Sequence, residues 1–267
     1  MTFYQKLTSA IQKNNSLVCV GLDSDLTKLP SHLKSIKNPQ FEFNKAIIDA
    51  THDLVCAYKP NSAFYEAAGL IGRKSLEQII KYIQKNYPQI PVILDAKRAD
   101  IGNTNEGYAK EAFDNLGADA ITVHPYLGKE AIQPFLERKG KGVLVLVRTS
   151  NPGAQEFQDL LVCGKPLYQV VAEHVMTWNT NGNVGVVVGA TYPEELKIVR
   201  GIIGDDVPIL IPGVGAQGGN VEKTVLAGVN NRGQGIIVSS SRAIIFAPNP
   251  RKTTLKLHQE IVDSLKR

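Results

Sequence analysis

Residues 91–104 read PVILDAKRADIGNT and set Asp95, Lys97, Arg98 and Asp100 directly behind an apolar run. On a strand, side chains two apart share a face, so Ile93, Asp95 and Lys97 are expected to line up at intervals of about 7 Å. Asp100 follows in the next loop. Two more charges end apolar runs elsewhere: Asp23 closes SLVCVGLD and Lys59 closes LVCAYKP. One reading of Asp-x-Lys is an internal ion pair that merely neutralises itself. A structural core gains little from that, because desolvation can exceed the attraction recovered, whereas a reaction site gains a great deal.

A lysine between carboxylates is held as ammonium, since nearby negative charge favours the charged form. It is then a poor amine nucleophile; Schiff-base aldolases need a lysine made neutral by an apolar pocket or a second cation. An ammonium group instead donates protons and stabilises developing carbanion charge. A carboxylate facing a bound anion repels it, by roughly 4 kcal/mol for unit charges ~4 Å apart at an effective dielectric of about 20. Losing a substrate carboxylate as neutral carbon dioxide would relieve that repulsion. Decarboxylation suits the arrangement, although the chemistry alone does not select it.

The elements that must hold these groups recur along the chain. Eight runs rich in Val, Ile and Leu follow one another: SLVCVGLD, LVCAYKP, PVILDAKR, ADAITVHP, GVLVLVRTS, VGVVVGAT, VPILIPGVG and GQGIIVSSSR. Helical stripes separate them, such as Leu76, Ile79, Ile80 and Ile83, or Leu167, Val170, Val171, His174 and Val175. Continuous apolar strands alternating with amphipathic helices imply a parallel sheet covered by helices. Eight repeats ahead of a terminal helix, KTTLKLHQEIVDSLKR, and a length of 267 residues fit a single α/β domain over residues 1–267, a (β/α)8 TIM barrel with eight parallel strands. An open doubly wound sheet is the alternative. In a barrel the charged strand ends fall at the carboxyl face, where such folds build their sites. There LIPGVGAQGG, after the seventh run, offers backbone N–H groups to an anion, and SSSR, after the eighth, offers hydroxyls and Arg242; the same glycines would also serve as tight turns at the rim. The loops after strands seven and eight are a recurrent phosphate site in this fold.

Composition narrows the partners. The net charge of +5 is scattered over the chain without a basic block, which favours small anionic ligands over nucleic acid. An oligonucleotide-binding barrel is the non-enzyme alternative. No apolar run approaches the roughly 20 residues of a membrane span, and the first residues, MTFYQKLTSAIQKNNS, carry Phe3, Leu7 and Ile11 at helical spacing without a signal-peptide block. The expectation is a packed helix in a cytoplasmic protein. Cys19, Cys56 and Cys163 lack Cys-x-x-Cys spacing and read as buried thiols, with no metal site.

LDAKRADIGNT, with Asp95, Lys97 and Asp100, resembles the Asp-x-Lys-x-x-Asp signature of the orotidine 5′-phosphate decarboxylase family. The resemblance extends in order through VGLDSD, YKPNSAFYE, RTSNPGA, PGVGAQGG and the arginine after the eighth run. YKPNSAFYE and NPGAQEFQDLLVCGK are similar to a divergent, type 2-like branch. The resemblance implies a (β/α)8 barrel that converts orotidine 5′-monophosphate to uridine 5′-monophosphate with no cofactor and no metal. It implies that Lys97 protonates C6, that Asp95 lies beside the substrate carboxylate, and that Lys59 joins the charged chain and reaches the ribose. Asp23 would accept a ribose hydroxyl, Ser150 would bond the pyrimidine, Gln217 would bridge ring and phosphate, and Arg242 would bind phosphate. Asp100 and Thr104 would come from the partner of a homodimer. Compact members place the phosphate arginine after a glycine, whereas three serines precede Arg242 here. The related 3-keto-L-gulonate 6-phosphate decarboxylases and hexulose-phosphate synthases share the signature around magnesium and are the alternative within it. RTSNPGA and Gln217 speak against them, because a pyrimidine amide needs matched polar partners.

Overall fold

All eight apolar runs form strands in the computed structural model, which describes residues 1–33, 35–214 and 219–266. They are β1 (Val18–Gly21), β2 (Ala57–Lys59), β3 (Ile93–Arg98), β4 (Ala120–Val123), β5 (Gly142–Arg148), β6 (Val184–Val188), β7 (Ile209–Pro212) and β8 (Ile236–Ser240). Every pairing between them is parallel, in the order β2-β1-β8-β7-β6-β5-β4-β3. The two edges of that order meet through isolated bridges, Tyr58 with Val92 and Asn61 with Asp95. The Asp95 N–H donates to the Pro60 carbonyl at 2.9 Å and the Tyr58 N–H to the Pro91 carbonyl at 3.0 Å. A TIM barrel therefore replaces the open-sheet alternative.

Strand alternation sorts the apolar residues into two cores. The barrel interior is one small cluster, with Cys19, Ala57, Ile93, Ala120, Leu144, Val187, Leu210 and Ile237 supplied by the eight strands in turn. The larger cluster joins the outward residues, such as Val18, Val20, Ile121, Val143, Val145 and Ile236, to the helices. The stripe Leu76, Ile79, Ile80 and Ile83 is buried in helix Gly69–Asn86 as its spacing requires. Helix Leu167–Trp178 also forms, but buries Tyr168, Ala172, Val175 and Trp178. Of the expected stripe only Val175 is buried; Leu167, Val171 and His174 border an apolar cavity together with Tyr168 and Trp178. Cys19 and Cys56 are buried, whereas Cys163 is exposed. It sits with Gly164 at φ 51° and 82° in the turn of a short hairpin, Leu161–Val162 with Lys165–Pro166. No helix among the described residues is long and apolar enough to cross a membrane.

The amino end closes the bottom of the barrel. Helix Phe3–Asn14 starts with a capping box, in which the Thr2 hydroxyl accepts from the Gln5 N–H and the Gln5 side chain accepts from the Thr2 N–H. Its Phe3 and Leu7 belong to the interior cluster. A β-carbon on Gly142 would lie 2.3 Å from the Phe3 ring, so glycine is what lets that ring seat against β5. Phe3→Ala should lower the unfolding free energy by about 3 kcal/mol or more, the usual cost of emptying a buried aromatic position. Urea unfolding checks this; an unchanged midpoint would mean the plug contributes nothing.

Candidate active site

At the opposite end, the inward positions change from apolar to ionic within one or two residues. Asp95, 7% exposed, follows Ile93 on β3, and Lys59, 4% exposed, follows Ala57 on β2. Oδ2 of Asp95 accepts from Lys59 Nζ at 2.9 Å and from Asn61 Nδ2 at 3.3 Å. Oδ1 accepts from Lys97 Nζ at 2.6 Å and from the Thr122 hydroxyl at 2.9 Å. Burial alone would raise the Asp95 pKa, yet the attraction of Lys59 and Lys97 outweighs it and holds the carboxyl well below the usual carboxylate range. Burial works against the Lys59 ammonium too, but Asp95 and then Asp23 hold its pKa above the ordinary lysine value. Beneath them, burial pushes the Cys19 thiol up to about 12, leaving it neutral.

Lys97 departs from the regular strand. Between Leu94 and Arg98 β3 advances four positions while β4 advances two, from Ile121 to Val123, and Lys97 lies in the left-handed region at φ 47°. The straight row Ile93, Asp95, Lys97 expected from period two therefore ends at Asp95. Lys97 leans back across a bulge to meet it, with its side chain half exposed where that of Lys59 is buried.

These groups share a 490 Å³ cavity with Asp23, Leu146, Thr149, Ser150, Pro212, Gly213 and Ser239 to Arg242. That volume lies within the roughly 300–1,000 Å³ typical of small-molecule sites. One Asp23 carboxylate oxygen is buried without a hydrogen-bond partner among the described residues, an acceptor awaiting a donor. Ser150 approaches because Gly189 has no side chain: a β-carbon there would lie 2.7 Å from that of Ser150. Gly21 makes the same room for Ser241, at 2.6 Å. Arg242 stands exposed at the rim, opening the short helix Arg242–Ile245, and forms no ion pair among the described residues. Asp100 and Thr104 do not line the cavity; Asp100 instead accepts from the Ile101 N–H, and Thr104 is exposed. Gln217 lies outside the described residues.

Sequence reasoning passed over four residues. Asn61, given no role by its place in YKPNSAFYE, bonds Asp95. Thr122, the lone hydroxyl within the ADAITV run, had been given no role; a polar residue at an inward position was its signal. Arg148 is fully buried, its guanidinium 3.9 Å over the Tyr192 ring, and it donates to the Thr149 carbonyl, Gln158 Oε1 and Asp159 Oδ2. Gln158 also accepts from the Thr149 N–H at 2.8 Å, so the two residues hold down the segment that presents Thr149 and Ser150. A larger, 910 Å³ apolar cavity adjoins through Leu146, Thr149 and Gln158, with His124 and Trp178 on its walls. It lacks the buried ions that line the smaller space.

The pair's pH dependence follows from the two shifts. A depressed carboxyl contributes stability that is complete above its unfolded value of about 3.9 and lost as pH falls through the folded one; a raised lysine contributes fully below about 10.4 and loses it as pH rises through the folded one. Asp95→Asn should therefore cost about 3 kcal/mol, constant from about pH 5 to 9 and shrinking toward strong acid and toward strong alkali. Denaturation of both proteins across that range checks it, and a penalty that changes near neutrality would show that Asp95, or Lys59 once it has lost Asp95, titrates there.

Comparisons with known proteins identify the family. The profile described as "Orotidine 5'-phosphate decarboxylase / HUMPS family" matches residues 16–257. The orotidine 5′-phosphate decarboxylase of Ralstonia pickettii is 54% identical over 248 residues, covering 92% of this chain and 90% of its own. That of Cellvibrio japonicus is 51% identical, covering 98% of each. The solved structure of Leishmania donovani OMP decarboxylase superposes with a TM-score of 0.88 at 37% identity over the whole of both chains. That of Methanocaldococcus jannaschii, solved with the inhibitor BMP, gives 0.71 at 27% identity, covering 91% of this chain and 97% of its own. With its profile match spanning most of the sequence, this chain belongs to the orotidine 5′-phosphate decarboxylase / HUMPS family.

Proposed function

We propose that this protein converts orotidine 5′-monophosphate to uridine 5′-monophosphate and carbon dioxide, the last step of de novo uridine monophosphate synthesis, without a metal or organic cofactor. The observation that carries the reading is Asp95 held ionised between Lys59 and Lys97 at the floor of a nucleotide-sized cavity. The names of the full-length relatives support it. So does the competition a divalent cation would meet, because both Asp95 oxygens already bind ammonium groups.

In this reading the substrate carboxylate lies against Asp95. The bond from C6 to the carboxylate breaks, its electron pair stays on C6, and Lys97 Nζ delivers a proton to that carbon; carbon dioxide departs neutral and Lys97 recovers its proton from water. Repulsion between two carboxylates is thereby relieved as charge moves toward an ammonium. Lys59 and Asp23 take the ribose hydroxyls, Ser150 the pyrimidine, Gln217 both ring and phosphate, and Arg242 the phosphate. The enzyme works as a cytoplasmic homodimer in which the partner supplies Asp100 and Thr104. Support for the dimer comes from exposed Leu70, Ile71, Ile101 and Tyr126, apolar side chains on the segments that follow β2, β3 and β4.

The deciding assay follows orotidine 5′-monophosphate absorbance with purified protein in excess EDTA. Conversion is expected; conversion only after magnesium is restored would overturn the metal-free reading, and none in either condition would point to the sugar-phosphate branch. Lys97→Ala should lose at least about 10²-fold in turnover with an unchanged circular dichroism spectrum, and substantial residual activity would remove Lys97 from its role. Shared sites make a further prediction. Lys97→Ala and Asp100→Ala, each inactive alone, should recover about a quarter of full activity when refolded together, because half of a random mixture is mixed dimers carrying one intact site. No recovery in dimeric protein would place Asp100 outside the partner's site.

A further inference from the structure

The bulge that carries Lys97 needs something to hold it. Where β3 outruns β4, the N–H groups of Ala96 and Lys97 lose their carbonyl partners on the neighbouring strand, and Lys97 takes a left-handed backbone conformation that a side chain disfavours. Both N–H groups turn to one atom: Thr122 Oγ1 accepts from Ala96 at 3.1 Å and from Lys97 at 3.0 Å. The same hydroxyl spends its proton on Asp95 Oδ1 at 2.9 Å. A hydroxyl has one proton and two lone pairs, so the full capacity of Thr122 is committed to these three contacts. Thr122 is 1% exposed and absent from the cavity wall, so it does not touch a ligand.

We propose that Thr122 is the positioning residue of this site: its hydroxyl stands in for the missing strand ladder, fixes the left-handed turn at Lys97, and locks the Asp95 carboxylate so that Oδ1 meets Lys97 Nζ. The proposal rests on the decarboxylase reading only for its kinetic arm. A valine at this place keeps the shape and removes all three hydrogen bonds; a serine keeps the hydroxyl.

Thr122→Val should lower kcat by about 10²-fold, the cost of displacing a reacting group by an ångström or so, with KM within about threefold because no ligand contact is lost. Thr122→Ser should restore most of kcat. Independently of any substrate, amide hydrogen exchange at Ala96 and Lys97 should quicken by about tenfold or more in the valine variant and remain slow in the serine variant. Should the valine variant not fold, Thr122→Cys serves the same comparison, since a thiol is a weak acceptor. Parental kcat in folded Thr122→Val, or unchanged protection of both amides, would overturn the proposal. A wild-type protein inert toward orotidine 5′-monophosphate would instead count against the function, while the exchange comparison would still judge Thr122.

Discussion

The site depends on one buried anion. Asp95 accepts four hydrogen bonds from Lys59, Asn61, Lys97 and Thr122, donors on β2, the turn after it, β3 itself and β4. Taking a carboxylate and two ammonium groups out of water costs several kcal/mol per ion, and the cost is recovered only if every lone pair finds a partner. The barrel meets that condition by placing inward residues of adjacent strands at one height. The same residue also lies on the seam of the fold, because β2 and β3 meet through bridges rather than a continuous ladder. Pro60 has no N–H to offer there, so the Asp95 N–H and the Lys59 ion pair do much of the joining. Charge placement and barrel closure are one arrangement.

A second constraint acts from the other side of the cavity. Arg148 is the largest fully buried side chain among the described residues, and it faces no buried acid. Its partners are a tyrosine face, a carbonyl, an amide oxygen and the partly exposed Asp159. Delocalised charge and a flat surface suit arginine to such a place. The result is a segment after β5 anchored at its root by Arg148 and Gln158, with Thr149 and Ser150 held toward the cavity. Glycines at 21 and 189 supply the close approaches that let β8 and this segment crowd the rim.

Much of this was legible in the sequence, because the signals were periodic. Eight apolar runs with polar carboxyl ends define the strands and say which end is functional, and Asp23, Lys59 and Asp95 fall where period two puts them. The failures arise where periodicity breaks. Lys97 needs a left-handed backbone with no glycine to announce it, so the bulge was invisible, and Thr122 became readable only once the lost ladder partners were known. Helix Leu167–Trp178 buries only Val175 of its expected stripe, and Leu167 and His174 border an apolar cavity. Cys163 looked like its two buried counterparts, though its place beside Gly164 marked a hairpin turn. Asp100 and Thr104 lie away from the cavity of their own chain, where local sequence cannot say what they face.

The two lysines show how one anion can serve unlike partners. Lys59 is buried and bonded at the floor, so its charge is fixed in place and stabilises Asp95 at the cost of its own hydration. Lys97 is half exposed, reaching the same carboxylate from a bulge that opens toward the cavity. A group that must give up a proton and regain it needs contact with water and some freedom to move, and a group that must hold a field steady needs neither. Under the proposed reaction, burying both lysines would leave the donor unable to recharge, and exposing both would let solvent screen the field that keeps Asp95 ionised. The bulge at Lys97 separates the two environments over a single carboxylate's width, and a regular strand would not.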